Sequence, residues 1–206
     1  MISDFLDVGT PQLSNLIAGV AATPSSNTNT WNPAFCGDLD VRIARDGVWH
    51  YQGSPIRRLP LVKLFANVLR REDDGQYYLV TPVEKMRIQV ELLAFQAVEL
   101  QVCGTGRSQV LEFRTNVDEV IIVDAGYRIV VSTDEERNQP LPMVTMRDGL
   151  SALLTRPVYY QLAALAVAAT SEHDAECGVW SSDVWFSLMQ VRSNELGAAH
   201  NETVVK

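Results

Sequence analysis

A chain of 206 residues, 47% hydrophobic and 20% charged, has the composition of a globular protein with room for one large domain or two small ones. Its formal net charge of -8 excludes a surface built to wrap duplex nucleic acid or to lie on an anionic membrane, since both reward positive charge. Three widely spaced cysteines, Cys36, Cys103 and Cys177, fit a reducing compartment better than a disulfide scaffold. The start MISDFLDVGT is acidic where a secretory signal would be basic, and the apolar run from Leu16 to Ala22 is too short to span a bilayer, so a cytoplasmic protein is expected.

The first predicted element is a helix from Thr10 to about Ala21, with Thr10 as N-cap and Pro11 in the first turn. TPSSNTNTWNP then reads as a linker. DLDVRIA alternates, placing Leu39, Val41 and Ile43 on one strand face and Asp38, Asp40 and Arg42 on the other. Asp46-Gly47 signals a hairpin into VWHYQ. PLVKLFANVLRR, residues 60–71, has apolar residues at helical spacing with Pro60 at its start and Arg at its end, which predicts a helix. After Asp73-Asp74-Gly75, QYYLVTP and VEKMRIQVE return to strand periodicity.

FQAVELQV, a CGTGRS turn, QVLEFRTNV, VIIVDAG and YRIVVS form a predicted antiparallel meander, interrupted by the polar TDEERNQPLP. A helix over 157–169, PVYYQLAALAVAA, and an aromatic strand from Val179 to Leu188 follow. Read with a strand's period of two, FRTNVDEV splits into Phe113, Thr115 and Val117 on one face, with Leu111, and Arg114, Asn116 and Asp118 on the other, with Glu112. The two halves share an order in which Arg58-Leu59-Pro60 and Arg156-Pro157 each open a helix, a turn follows, and an aromatic strand returns. DGVWHYQ is echoed by CGVWSSD. The expected fold is α+β: an N-terminal helix and linker over 1–30, two related subdomains over 31–92 and 93–192, each a mostly antiparallel sheet with a packed helix, and a tail over 193–206.

The segments CGDLDVRIARDG, GSPIRRLPLVKLFANVLRR, YYLVTPVEKMRI, FRTNVDEV and LTRPVYYQL resemble, in content and order, the bacterial domain-of-unknown-function family 1285, over about Trp31 to Leu188. The resemblance implies an α+β protein with two related subdomains, the second similar to a pleckstrin-homology-like fold. It also implies a cleft between them for a nucleotide-like molecule and a role in signal transduction.

Candidate chemistry is sparse. No CxxC or HxxxH spacing supports a metal site, and Asp38, Asp40 and Glu84 lack a Gly-centred calcium loop, so no metal or cofactor is expected. His50, His173 and His200 accompany no GxSxG elbow or Cys–His signature. CGTGR joins two strands, which makes it a hairpin turn and not a phosphate loop. Arginine outnumbers lysine 14 to 3, a choice that suits carboxylate or phosphate but equally reflects an Arg-rich genome. Helices opened by Arg58 and Arg156 without an adjacent capping side chain expose amide N–H groups to an anion, either a ligand's or one of the chain's own carboxylates. Lys63 stands near the positive end of its helix, and Lys85 begins a strand after the Thr81-Pro82 turn. Tyr159 and Tyr160 serve either base stacking or the core.

With the resemblance, these features nominate Arg58, Lys63, Lys85, Arg114, Asn116, Arg147, Arg156 and Tyr159 as facing an anionic, nucleotide-like small molecule in a non-catalytic binding protein. Two alternatives stand beside this reading. One is an enzyme using Asp118 or Glu84 as acid or base; the other is an interaction module presenting Trp180 and Trp185, with a homodimer as one outcome.

Overall fold

The computed structural model describes residues 30–169 and 177–188, together with Val20. The expected helix from Thr10 to Ala21, apart from Val20, and the tail lie outside the described residues. The chain divides into two compact units. The first runs to Ala94 and takes in Arg147–Leu150; the second holds Phe95–Met146 and the chain from Ser151 onward.

The first unit opens with β1 (Phe35–Ile43), whose Leu39, Val41 and Ile43 are buried while Asp38 and Asp40 are exposed, as the alternation predicts. The expected turn at Asp46-Gly47 forms, with Gly47 in the left-handed region and Val48 N–H donating to Asp46 Oδ1 at 3.0 Å. It leads into β2 (Trp49–Tyr51) and the two-residue β3 (Ser54–Pro55). Helix α1 (Leu59–Ala66) buries Leu61, Val62, Phe65 and Ala66, and Phe65 stacks on Trp49 with ring centroids 6.3 Å apart. It is shorter than the sequence predicts, because Leu69–Arg71 form β4 instead of a last helical turn. Asn67 and Val68 are weak helix formers, and Leu69 finds a strand partner in Leu79 of β5 (Tyr77–Val80). The local apolar spacing satisfies either structure, and pairing with β5 decides. The unit closes with β6 (Lys85–Val90).

The second unit contains β7 (Phe95–Cys103), β8 (Val110–Thr115), β9 (Val120–Ile122), β10 (Ile129–Asp134), β11 (Gln139–Thr145) and β12 (Ser151–Leu154). TDEERNQPLP does not interrupt the sheet. It is the hairpin between β10 and β11, with Asp134 paired to Gln139 and Leu141 to Ser132. FRTNVDEV also departs from the predicted continuous strand. Strand β8 stops at Thr115, whose hydroxyl accepts the N–H of Glu119 at 3.1 Å, and Asp118 adopts a φ of +62° that an Asp tolerates in a tight turn.

The first sheet has the strand order β3-β2-β1-β6-β5-β4 and the second β10-β11-β12-β7-β8-β9. Numbered from each unit's own first strand, these are the same order read from opposite edges. In both, two antiparallel three-stranded meanders join through a parallel pair, β1 with β6 and β7 with β12. The repeat therefore lies in the strand order. It does not lie in helix position, since α1 joins the third strand to the fourth whereas α2 (Arg156–Ala169) follows the sixth. The matching fragments DGVWHYQ and CGVWSSD occupy different places, β2 in one unit and the strand after α2 in the other.

That last segment is a hairpin of β13 (Gly178–Ser181) and β14 (Val184–Ser187), not one strand. Ser182 and Asp183, at φ of +51° and +61°, turn it. A Cβ on Gly178 would lie 2.5 Å from both Phe186 O and the Trp185 ring, so only glycine fits there. Ser181, fully buried, ties the hairpin to the sheet by accepting Leu111 N–H at 2.9 Å and donating to Val123 O at 2.7 Å.

Candidate functional site

One face of the first sheet carries a row of directly opposed residues across four strands, open to solvent at Asp38 on β1 and Arg87 on β6 and covered at Tyr78 on β5 and Arg70 on β4. Opposed residues in a sheet share a face, so the row follows from register alone. Arg87 grips Asp38 with two bonds, Nε to Oδ1 at 2.7 Å and Nη2 to Oδ2 at 3.0 Å, and lies 5.9 Å over the Phe35 ring. These bonds hold the Asp38 carboxyl below its ordinary range and raise Arg87. Tyr78 meets Phe35 edge-on at 6.2 Å and donates its hydroxyl to Asp74 Oδ2 at 2.7 Å, which lowers Asp74 and raises the phenol.

Lys85 passes 5.0 Å over the Tyr78 ring to reach Glu72 Oε2 at 3.0 Å, where Arg70 also binds. Partial burial pushes the Glu72 carboxyl up, but the hydrogen bonds from Lys85 and Arg70 outweigh it, and the group ends below its usual value. Beside this row the face opens into a depression of about 380 Å³ lined by Asp38, Arg87, Gln89 and Gln76. The two amides, the guanidinium and the carboxylate give it donors and acceptors in balance.

The nominated residues are distributed between the units. Arg58, Lys63, Lys85 and Arg147 belong to the first, and Arg114, Asn116, Arg156 and Tyr159 to the second. Lys85, Arg114 and Arg147 are engaged by named acceptors of the chain itself. Lys85 serves Glu72, Arg114 bridges Glu99 at 2.6 Å and Asp118 at 2.9 Å, and Arg147 binds Asp148 and the Ala66 carbonyl, both at 2.9 Å. Asn116 clasps the end of β7: its side-chain oxygen accepts Gln96 N–H at 3.1 Å, and its own N–H donates to Gln96 O at 2.9 Å.

Arg58 stands exposed at the start of α1, with no side-chain cap and no acidic residue in the first turn. Arg156 is exposed at the start of α2, which also lacks an acidic first turn, and its side chain makes no hydrogen bond or ion pair with the described residues. Lys63 and Tyr159 are half-buried. Trp180 and Trp185 are not the exposed pair expected. Their rings pack 5.2 Å apart in the β13–β14 hairpin, with Arg107 stacked 4.4 Å over Trp180. Arg87, Gln89 and Gln76 are the residues the sequence reading passed over. The signal was present, because period two in KMRIQV puts Lys85, Arg87 and Gln89 on one face.

Two family models match consecutive stretches of the chain: the N-terminal domain of the domain of unknown function DUF1285 over residues 27–92, and the C-terminal domain of the protein of unknown function DUF1285 over residues 94–188. A crystal structure of a DUF1285 family protein from Silicibacter pomeroyi DSS-3 is 42% identical, with a TM-score of 0.76 over 88% of this chain and 97% of that one. The chain belongs to the DUF1285 family. A second DUF1285 family protein, from Shewanella baltica OS155, matches at 27% identity and a TM-score of 0.48 over 60% of this chain and 89% of that one. No curated protein matches.

For this DUF1285 chain the two carboxylates considered for acid–base work have different surroundings. Asp118 is held by Arg114. Glu84 is pushed up by burial, and it lies on the Thr81–Glu84 turn, outside the lining of the depression. Among the described residues no group of three or more His, Cys, Asp or Glu is placed to hold a metal, and no helix is long and apolar enough to cross a membrane.

Proposed function

We propose that this DUF1285 protein is a cytoplasmic, non-catalytic binding protein that takes a small anionic, nucleotide-like molecule on the polar face of its first unit, as a component of signal transduction. The observation that carries the reading is the Asp38–Arg87 pair beside the exposed Phe35 ring. Both partners are well exposed, at 64% and 43% of their side-chain surface, and Phe35 is 53% exposed. An ion pair so open to water holds itself together weakly, so a ligand phosphate or carboxylate exchanges with Asp38 at little cost and keeps the bidentate geometry. The exposed Phe35 ring beside Arg87 offers a planar ring a stacking partner, and Gln76 and Gln89 line the depression with hydrogen bonds of both senses.

The exposed, free Cys36, Cys103 and Cys177 support the reducing compartment. The helix that follows the sixth strand of the second unit supports the pleckstrin-homology-like part of the reading. The ion pair of Asp118 with Arg114 favours binding over acid–base work at that carboxylate.

Thermal-shift titration with nucleoside monophosphates tests the reading. The expected result is a ligand-dependent rise in melting temperature that is lost in Arg87→Ala, reduced in Phe35→Ala and retained in Arg114→Ala. A rise that persists in Arg87→Ala, or no rise with any nucleotide, overturns it.

A further inference from the structure

Each six-stranded sheet ends in two edges, and an uncovered edge strand is a template for another chain. Three of the four edges are blunted. Strand β3 has only two residues, one of them Pro55. Strand β4 is covered by the Arg147–Gly149 turn, where Gly149 approaches so closely that a Cβ on it would lie 2.8 Å from Arg71 O. Strand β10 packs against β14. The fourth edge, β9, differs. Ile121 pairs with Phe113, while Thr115 N–H donates to Glu119 O and Val123 N–H to Leu111 O, both at 2.9 Å. By the alternation of an antiparallel ladder, residues 119, 121 and 123 face β8, and the N–H and C=O groups of Val120 and Ile122 face away from it. Neither residue makes any other hydrogen bond among the described residues. Their side chains are also exposed, at 58% and 47%.

We propose that β9 accepts an extended segment of another protein as a seventh strand, and that this segment carries β-branched apolar residues flanked by Lys or Arg. The charge around the edge selects this occupant. Carboxylates flank the apolar pair, with Glu119 before it, Asp124 after it and Glu112 directly opposite Ile122 on β8, while Arg114, opposite Val120, is taken up by Glu99 and Asp118. A second copy of the chain is a poor fit. Two β9 strands paired antiparallel about Ile121 would match Val120 with Ile122, but would bring together two edges that each carry Glu112, Glu119 and Asp124, and such like-charge juxtaposition disfavours the pair. A basic extended peptide meets the same ends with opposite charge, gains the four outward backbone groups, and lays its apolar side chains beside Val120 and Ile122.

The test is amide hydrogen exchange by NMR on the isotope-labelled full chain, with the synthetic peptide Lys-Thr-Val-Thr-Val-Thr-Lys, blocked at both ends, as probe, since a period of two puts its Lys and Val side chains on the face of Val120, Ile122 and Asp124. Without peptide the amides of Val120 and Ile122 exchange rapidly while that of Ile121 is protected. With saturating peptide both slow by roughly ten-fold or more, and Glu-Thr-Val-Thr-Val-Thr-Glu has no such effect. Ile122→Lys, which places a cation on the edge and leaves every bond to β8 intact, weakens the basic peptide by roughly ten-fold; Val83→Ala, at an exposed residue of the first unit, does not. The proposal is overturned if the two amides are already protected in the free chain, if the acidic peptide binds as well as the basic one, or if Ile122→Lys binds unchanged. Light scattering that shows a dimer dissociated by Ile122→Lys would assign the edge to a second copy and overturn it equally.

Discussion

The two units solve the same topological problem with the same strand order but present different faces to water. In the first unit the outward face is charged and tied together by opposed pairs: Asp38 with Arg87, and Glu72 with Lys85 and Arg70. Its two edges are closed, one by Pro55 and one by the turn at Arg147–Gly149. In the second unit the ion pairs of Arg114 share the outward face with the exposed Val120 and Ile122, and the edge beside them is open. The difference teaches that the strand order fixes the cores while leaving faces and edges free to diverge. The first unit presents a charged, ion-paired face and the second an apolar edge strand.

Core truncation gives the largest contrast. Phe65→Ala in the first unit and Phe113→Ala in the second each remove a ring with no solvent exposure and are expected to cost about 3–5 kcal/mol. Denaturant unfolding with exchange mass spectrometry would show the loss of protection starting in the sheet that carries the substitution. Next comes Gly178→Ala, whose Cβ has nowhere to go between Phe186 O and the Trp185 ring. It is expected to cost about 1–3 kcal/mol and to loosen β13 and β14, with the first unit unchanged in the same exchange experiment.

Arg147→Ala probes the crossing of sequence and structure. Arg147 lies between β11 and β12 in the chain, yet its guanidinium donates to the Ala66 carbonyl in the first unit. Removing it also strips the partner from Asp148, whose side chain is only 4% exposed. The expected cost is about 1.5–3 kcal/mol, read as faster exchange in α1 and β4.

The smallest effect is electrostatic. Asp38, Glu72, Asp74 and Glu91 of the first unit all titrate below their ordinary values. For Glu91 the Arg45 backbone N–H is the first cause and the Arg42 side chain the second. A carboxyl with a depressed folded-state pKa stabilises the fold above its unfolded value of about 4, and that contribution is lost as pH falls through the lower folded value. Because three of these groups are well exposed and only Glu72 is partly buried, the loss is modest. It should appear in exchange measurements on either side of that window as a weakening of β1 and β4–β6.

The amino-acid sequence alone determined most of the strands and which of their faces are apolar. Leu39, Val41 and Ile43, or Leu111, Phe113 and Thr115, alternate so regularly that only one face can be buried. It also carried the family resemblance, and the two-unit α+β class with it. Position along the chain could not decide whether Leu69–Arg71 end a helix or begin a strand, because the partner that settles it, β5, is reached only after the intervening turn closes. Nor could it show that Asp38 meets Arg87, which lies forty-nine residues away on a parallel neighbour, or that Lys85, Arg114 and Arg147 are occupied by the chain's own acceptors. Those pairings are set by register, and register is a property of the assembled sheet. The openness of the β9 edge was decided at the same level, since an edge exists only once every other strand has found its neighbours.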